Sequence, residues 1–161
     1  MTGKIRFVAK SFIIHAQAVK AQEAAECAGE QGQYWQMGEL LYERQSDWFS
    51  QSDVPGILKK YAGELGLDQA SFDACLDEGK YTAKVQADYQ EGQQAGAQGT
   101  PWLIINGVGG WGTEPYATLS QKIDYYLAGG KPPTLILAAD SFQSQGKADA
   151  PMVITEFSDF Q

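Results

Sequence analysis

The stretch that decides the fold is Gln98-Gly99-Thr100-Pro101-Trp102-Leu103-Ile104-Ile105-Asn106-Gly107. It opens on a turn signal, Gly99-Thr100-Pro101, runs through apolar residues with β-branched Ile104 and Ile105, and closes on Asn106-Gly107. That pattern predicts a short buried strand headed by a proline and followed by a hairpin turn. Proline has no N–H to give a sheet, so at a strand's first residue it marks a loop-to-strand junction. An X–Pro bond is also one of the few places where a cis peptide costs little, roughly 0.5–1 kcal/mol over trans. Taken alone, Pro101 reads equally as an ordinary loop proline.

Composition narrows the class. The chain has 161 residues, 43% hydrophobic and 20% charged, which suits one globular domain with a proper core. No apolar run is long enough to span a membrane. The net charge of −8 argues against nucleic acid or an anionic membrane surface as partner. The single histidine, His15, excludes a histidine-rich metal site and is the only base a serine triad could use. No secretory leader is expected at Met1-Thr2-Gly3-Lys4, and nothing suggests a metal, nucleotide or flavin cofactor. The two cysteines, Cys27 and Cys75, stand far apart, in neither Cys-x-x-Cys nor zinc spacing. They read either as two buried thiols or as one disulfide.

Around the deciding stretch, alternation over Ile5-Arg6-Phe7-Val8-Ala9 predicts a strand at roughly 4–10. Residues 16–28 are alanine-rich, favouring a helix that packs closely on its neighbours. A second helix is expected over about 33–45, with Tyr34, Met37, Leu41 and Trp48 as a core stripe. Ser52-Asp53-Val54-Pro55 starts a third, Asp68 caps a fourth, and Tyr81, Val85 and Tyr89 mark a fifth. Tyr116, Leu119, Ile123 and Tyr126 line a further helix that covers a sheet face, with Pro115 in its first turn. Gly129-Gly130-Lys131-Pro132-Pro133 then breaks the chain, Thr134–Leu137 reads as a short edge strand, and 141–151 is linker-like. Met152-Val153-Ile154-Thr155-Glu156-Phe157 reads as a buried strand close to the end of the sequence.

Gly-Thr-Pro, apolar strand, Asn-Gly, hairpin, then Gly112-Thr113-Glu114-Pro115-Tyr116 and a helix: this order resembles the closing half of the bacterial DsbA-like thioredoxin-fold oxidoreductases. Ala150-Pro151 followed by Val153-Ile154-Thr155-Glu156-Phe157-Ser158-Asp159-Phe160-Gln161 resembles that family's first core strand, after which its members carry a redox-active Cys-x-x-Cys opening a helix. Gly3-Lys4-Ile5-Arg6-Phe7-Val8 resembles the strand that follows that helix. His15-Ala16-Gln17-Ala18, Glu26-Cys27-Ala28-Gly29-Glu30-Gln31-Gly32, Tyr34-Trp35 and Phe72-Asp73-Ala74-Cys75-Leu76 are similar to the family's helical insertion.

The resemblance implies an α/β, thioredoxin-like fold with an inserted all-helical subdomain and the catalytic helix missing. Residues 1–15 and 96–129 are expected to form sheet and closing helix, 16–95 the insertion, 130–150 a linker with an edge strand, and 151–161 the first core strand. The family order is permuted, as in a piece of a tandem protein, a gene truncated at both ends, or a circular permutant. The resemblance further implies that Cys27 and Cys75 form a structural disulfide in an extracytoplasmic, periplasmic-type setting. Thr100 and Pro101 would hold extended polypeptide substrates, and Glu156 would match a buried acid beneath the active site. A plain strand glutamate is the alternative reading of Glu156, and no role is assigned to His15. No residue of this chain is expected to act as the catalytic nucleophile, so the function implied is that of an oxidoreductase relative inactive by itself, or a redox-silent peptide-binding module. Trp102 stands where a smaller residue is usual and is expected to fill or reshape the substrate groove, and Gly109-Gly110 to leave the last strand short or irregular. The missing helix is expected to bare apolar surface on Ile5–Val8 and Val153–Phe157, favouring a homo-oligomer or a strand-swapped dimer.

Overall fold

The computed structural model describes residues 3–112, 114–130 and 144–160. Strand β1 (Ile5–Ser11) leads into six helices: α1 (Ala18–Gly29), α2 (Tyr34–Glu43), α3 (Gln45–Trp48), α4 (Val54–Glu64), α5 (Gln69–Asp77) and α6 (Thr82–Gln94). A hairpin of β2 (Trp102–Ile105) and β3 (Val108–Trp111) follows, then α7 (Tyr116–Leu127), β4 (Ser144–Gln145) and β5 (Met152–Ser158). The expected edge strand at Thr134–Leu137 lies outside the described residues, although the two-residue β4 falls in the same linker span.

The sheet order is β3-β2-β5-β1-β4. β5 therefore sits in the middle, parallel to β1 from Ile5–Met152 to Ser11–Ser158 and antiparallel to β2 from Trp102–Phe157 to Ile105–Ile154. Its β-branched and aromatic content suits a strand buried on both faces. The β2–β3 turn uses Asn106 and Gly107, both at positive φ, as a two-residue hairpin of matching twist requires. Asn106 also extends the pairing with β5: its N–H donates to the Val153 carbonyl, and its Oδ1 accepts from the Val153 N–H, each at 2.8 Å. β3 is short, and its register with β2 shifts between Leu103 and Ile104.

Alternation along the strands divides the side chains between two faces. On one, Ile105, Met152 and Ile154 meet Leu119, Ile123, Tyr126 and Leu127 of α7. On the other, Phe12, Ile104 and Phe157 meet Tyr89 of α6 and Ala95 and Ala97 beyond it. The apolar surface expected to lie bare is thus mostly covered within the chain: Val8, Met152, Ile154 and Phe157 are buried, while Ile5, Phe7 and Val153 are half-buried. α7, α6 and the near edge of the insertion cover the strands, so these residues give no argument for a covering second copy.

The insertion packs around α1, whose Ala21, Ala24, Ala25 and Ala28 are fully buried against Met37, Leu41, Leu58 and Phe72. Small side chains let the surrounding helices approach its axis closely. The expected second helix forms as α2, ending at Glu43, and the single turn α3 that follows tucks Trp48 inward, its indole N–H donating to the Leu41 carbonyl at 2.9 Å. Asp53 and Asp68 cap α4 and α5, accepting from the N–H of Gly56 and of Ser71.

A buried set of charges joins insertion to sheet. Lys10, pointing from β1 toward α6, lies 3.3 Å from Asp88 and 3.0 Å from Glu91. Lys84 bridges Asp88 at 2.8 Å and Glu26 of α1 at 3.2 Å. Gln22 accepts from the Ser11 hydroxyl and donates to the Ser158 carbonyl, so α1 touches both parallel strands. Removing one member would strand its partners in a desolvated site, a loss of about 3–5 kcal/mol.

Gly92 brings α6 down onto this face of the sheet: a Cβ there would meet Phe12 Cδ2 at 2.6 Å and Phe157 Cδ1 at 2.9 Å. Gly92→Val is expected to lower the unfolding free energy by about 1–3 kcal/mol through overpacking. Urea denaturation checks it, and unchanged stability would show that α6 can lift without cost.

Candidate functional site

Gly99-Thr100-Pro101 forms the loop that enters β2, and the Thr100–Pro101 peptide is cis. β2 lies against β5, with Leu103 opposite Glu156 and Trp102 opposite Phe157. Pro101 immediately precedes β2, at the end of the pairing where β5 closes on Ser158. Residues 101 and 103 share the face that carries Glu156, while 102 belongs to the other. The loop that opens the hairpin and the end of the central strand thus meet at one corner of the sheet.

Trp102 does not fill that corner. It packs with the Phe12, Ile104 and Phe157 cluster on the opposite face. Strand alternation is the reason: a side chain next to one that points toward the groove must point away from it. Its bulk instead meets the glycine pair of β3, since a Cβ at Gly109 would come within 3.3 Å of the indole nitrogen.

Glu156 opens into a pocket of ≈ 260 Å³ between the sheet and α2, lined by Tyr34, Trp35, Glu39 and Tyr42 and floored by Ala9. Gly38, Gln145, Ser158 and Phe160 complete it. The rings interlock: Tyr34 with Trp35 at 5.3 Å between centroids, Trp35 with Phe7 at 5.9 Å, Tyr42 with Phe160 at 4.8 Å. Burial alone pushes the Glu156 carboxyl above its ordinary value. Desolvation likewise raises Tyr34 and Tyr42, and the negative charge of Glu156 adds to both.

The strand exit is pinned by Asp159. One of its oxygens accepts from the backbone N–H of Ile14 at 2.9 Å and of His15 at 3.0 Å, and lies 3.2 Å from His15 Nδ1. Tyr42 donates to the Asp159 carbonyl at 3.3 Å. His15 is therefore an anchor between the exits of β1 and β5. Asp159, Trp35 and Tyr42 were not singled out as site residues from the sequence: the two aromatics look like helix packing there, and Asp159 stands 144 residues from its partner.

Cys27 and Cys75 are joined in a disulfide between α1 and α5, 48 residues apart in sequence with Cα atoms 5.9 Å apart. Both are buried, and neither is near the loop at 99–101 in the sheet. The chain has no free cysteine. Among the described residues no cluster of ligands could hold a metal, and no helix is long and apolar enough to cross a membrane.

A strand hairpin opened by Thr-Pro, a central strand ending in an acid and a helical insertion between the strands are the parts of a thioredoxin fold. The family model described as Thioredoxin matches residues 1–125. The chain belongs to this family, as a DsbA-like thioredoxin-fold member. It is similar to proteins described as candidate protein-disulfide oxidoreductases of Rickettsia prowazekii and Rickettsia conorii, each at 27% identity over 78% of this chain and 46% of the relative. It is also 31% identical to a Na(+)/H(+) antiporter NhaA 1 of Salinispora arenicola, over 72% of this chain and 17% of that protein. The chain thus spans less than half the length of the oxidoreductases and about a sixth of the antiporter.

Two measurements probe this geometry. Closing a loop of 48 residues stabilises by about 4 kcal/mol in the chain-entropy model, so reduction is expected to lower the unfolding free energy by up to that amount. Thiol titration of the denatured, unreduced chain should find none, and finding two thiols per chain would refute the bridge. Glu156 carries the opposite sign from a salt-bridged acid: a carboxyl raised on folding costs stability as pH climbs through its folded value. Glu156→Gln is therefore expected to raise stability at about pH 7 and to make no difference below about pH 3.5, where the carboxyl is protonated in both states. Melting curves across pH read this directly.

Proposed function

We propose that this chain is the polypeptide-holding part of a DsbA-like thiol:disulfide oxidoreductase that acts on extracytoplasmic proteins, and that it does not itself catalyse disulfide exchange. The observation that carries the reading is the register that sets the Thr100–Pro101 loop beside the end of β5, with Glu156 on the same face. The loop offers its backbone to an extended chain, which binds by adding a strand, and the neighbouring pocket receives side chains. Substrates are unfolded or extended polypeptides. Family membership and the oxidoreductase relatives supply the redox context, and the disulfide between α1 and α5 suits an oxidising compartment.

Exchange chemistry needs an accessible thiolate, commonly held at a helix N-terminus. Both sulfurs of this chain are buried in the Cys27–Cys75 bridge, inside helices rather than at their starts. That observation also favours a second reading, a redox-silent thioredoxin-like module that binds peptides without turnover.

Insulin reduction by dithiothreitol should proceed with the chain no faster than in buffer, whereas a permanently unfolded, carboxymethylated polypeptide should bind. A Cβ at Gly99 meets nothing within 4 Å, so Gly99→Phe is expected to keep the melting temperature and obstruct the groove, weakening binding about tenfold or more. Turnover above buffer would overturn the inactive reading. Failure of the wild type to bind, or full binding by Gly99→Phe, would overturn the groove.

A further inference from the structure

Among the described residues the pocket beside Glu156 has an unusual lining. Its walls are the rings of Tyr34, Trp35, Tyr42 and Phe160, its two charged groups are the carboxylates of Glu39 and Glu156, and no lysine or arginine lines it. Lys10 of the adjoining strand points through the other face of the sheet, where Asp88 and Glu91 hold it. Arg6, also on that face, donates to the Ser144 hydroxyl. The site is aromatic, negative and missing a cation.

We propose that this pocket takes the cationic side chain, arginine or lysine, of an extended polypeptide lying along the Thr100–Pro101 loop. The inference rests on the groove reading above and names the substrate feature it selects.

Three considerations select a long cation over other side chains. The first is charge. An apolar group seated on Glu156 would complete the desolvation of a carboxylate with nothing to compensate it, a cost of several kcal/mol. An ammonium or guanidinium supplies the missing partner. The negative groups that line the site are Glu39 from α2 and Glu156 from β5. Behind the effect of burial, the charge of Glu156 also helps to raise the Tyr42 phenol on the pocket wall.

The second is the rings. A cation over the face of tryptophan or tyrosine gains about 0.5–2 kcal/mol, most when it is desolvated. Arginine does this best, since its planar fork can stack on one ring while it bonds a carboxylate in two places. The third is reach. Glu156 sits on the strand next to β2, about 5 Å across the sheet. A side chain entering from the loop must span that distance, which suits arginine and lysine and is beyond alanine, serine or valine.

The test uses two labelled peptides, acetyl-Ala-Ala-Arg-Ala-Ala-amide and its citrulline counterpart, which keeps the shape and donors of arginine but carries no charge. Fluorescence anisotropy is read with the wild type, Glu156→Gln, Trp35→Leu and Gly99→Phe, each checked for folding by circular dichroism. The arginine peptide is expected to bind the wild type about tenfold tighter than the citrulline peptide. That preference should vanish in Glu156→Gln, shrink in Trp35→Leu and weaken as salt rises. Equal affinity of the two peptides for the wild type overturns the cation pocket. If both bind equally and both are lost in Gly99→Phe, the groove stands without the pocket; if neither binds, both readings fall. A preference for arginine that survives Glu156→Gln also rejects this site as its source.

Discussion

The whole structure depends on a strand supplied from residues 152–158 being placed between two strands it does not follow in sequence. β5 pairs with β1 along its full length on one side and with β2 on the other, so both neighbours lose their central partner if it leaves. Its N–H and C=O groups lie under helices on both faces, where an unpaired backbone group costs free energy that water cannot return. Phe157 belongs to one apolar cluster and Ile154 to another, so this strand also joins cores that otherwise have little in common.

Secondary fastenings reinforce that placement. Gln22 reaches from α1 to the Ser158 carbonyl, Asn106 clasps Val153 from the hairpin turn, and Asp159 collects the amides that leave β1. Each ties the far end of the chain to a segment more than forty residues away. The insertion is held separately, by the disulfide between α1 and α5 and by the buried charges that link Lys10 to α6. The sheet corner at Thr100–Pro101 keeps open space beside it, since a Cβ at Gly99 would meet nothing within 4 Å.

Much of this was legible in the sequence, and what was not has physical causes. The proline-headed strand and its Asn-Gly turn were readable because every residue of 98–107 has a local preference pointing the same way. That β5 completes the same sheet could be expected only from family resemblance, since no local pattern says which strands become neighbours. The end of α2 is close to the expected one, whereas the separate turn α3 has no local signal, because Leu41 and Trp48 fall on one helical face whether or not the helix continues. The size of Trp102 suggests the groove, but the period of two along β2 turns it to the opposite face. The pocket had no signal of its own: Tyr34 is core as its stripe suggests, yet Trp35 and Tyr42 turn toward a sheet that the sequence places far away. The Asp159–His15 contact joins opposite ends of the chain and leaves no trace in either neighbourhood.

Pro101 and Trp102 are adjacent in the chain and belong to opposite sides of the sheet, one toward the groove and one into the core. Inserting or deleting a single residue between Gly99 and Leu103 would exchange their roles, sending an indole out over the groove and leaving a hole beside Phe157. Point changes in this loop can therefore be mild where a change of length is ruinous. Variation in such a segment is confined to letters and closed to spacing.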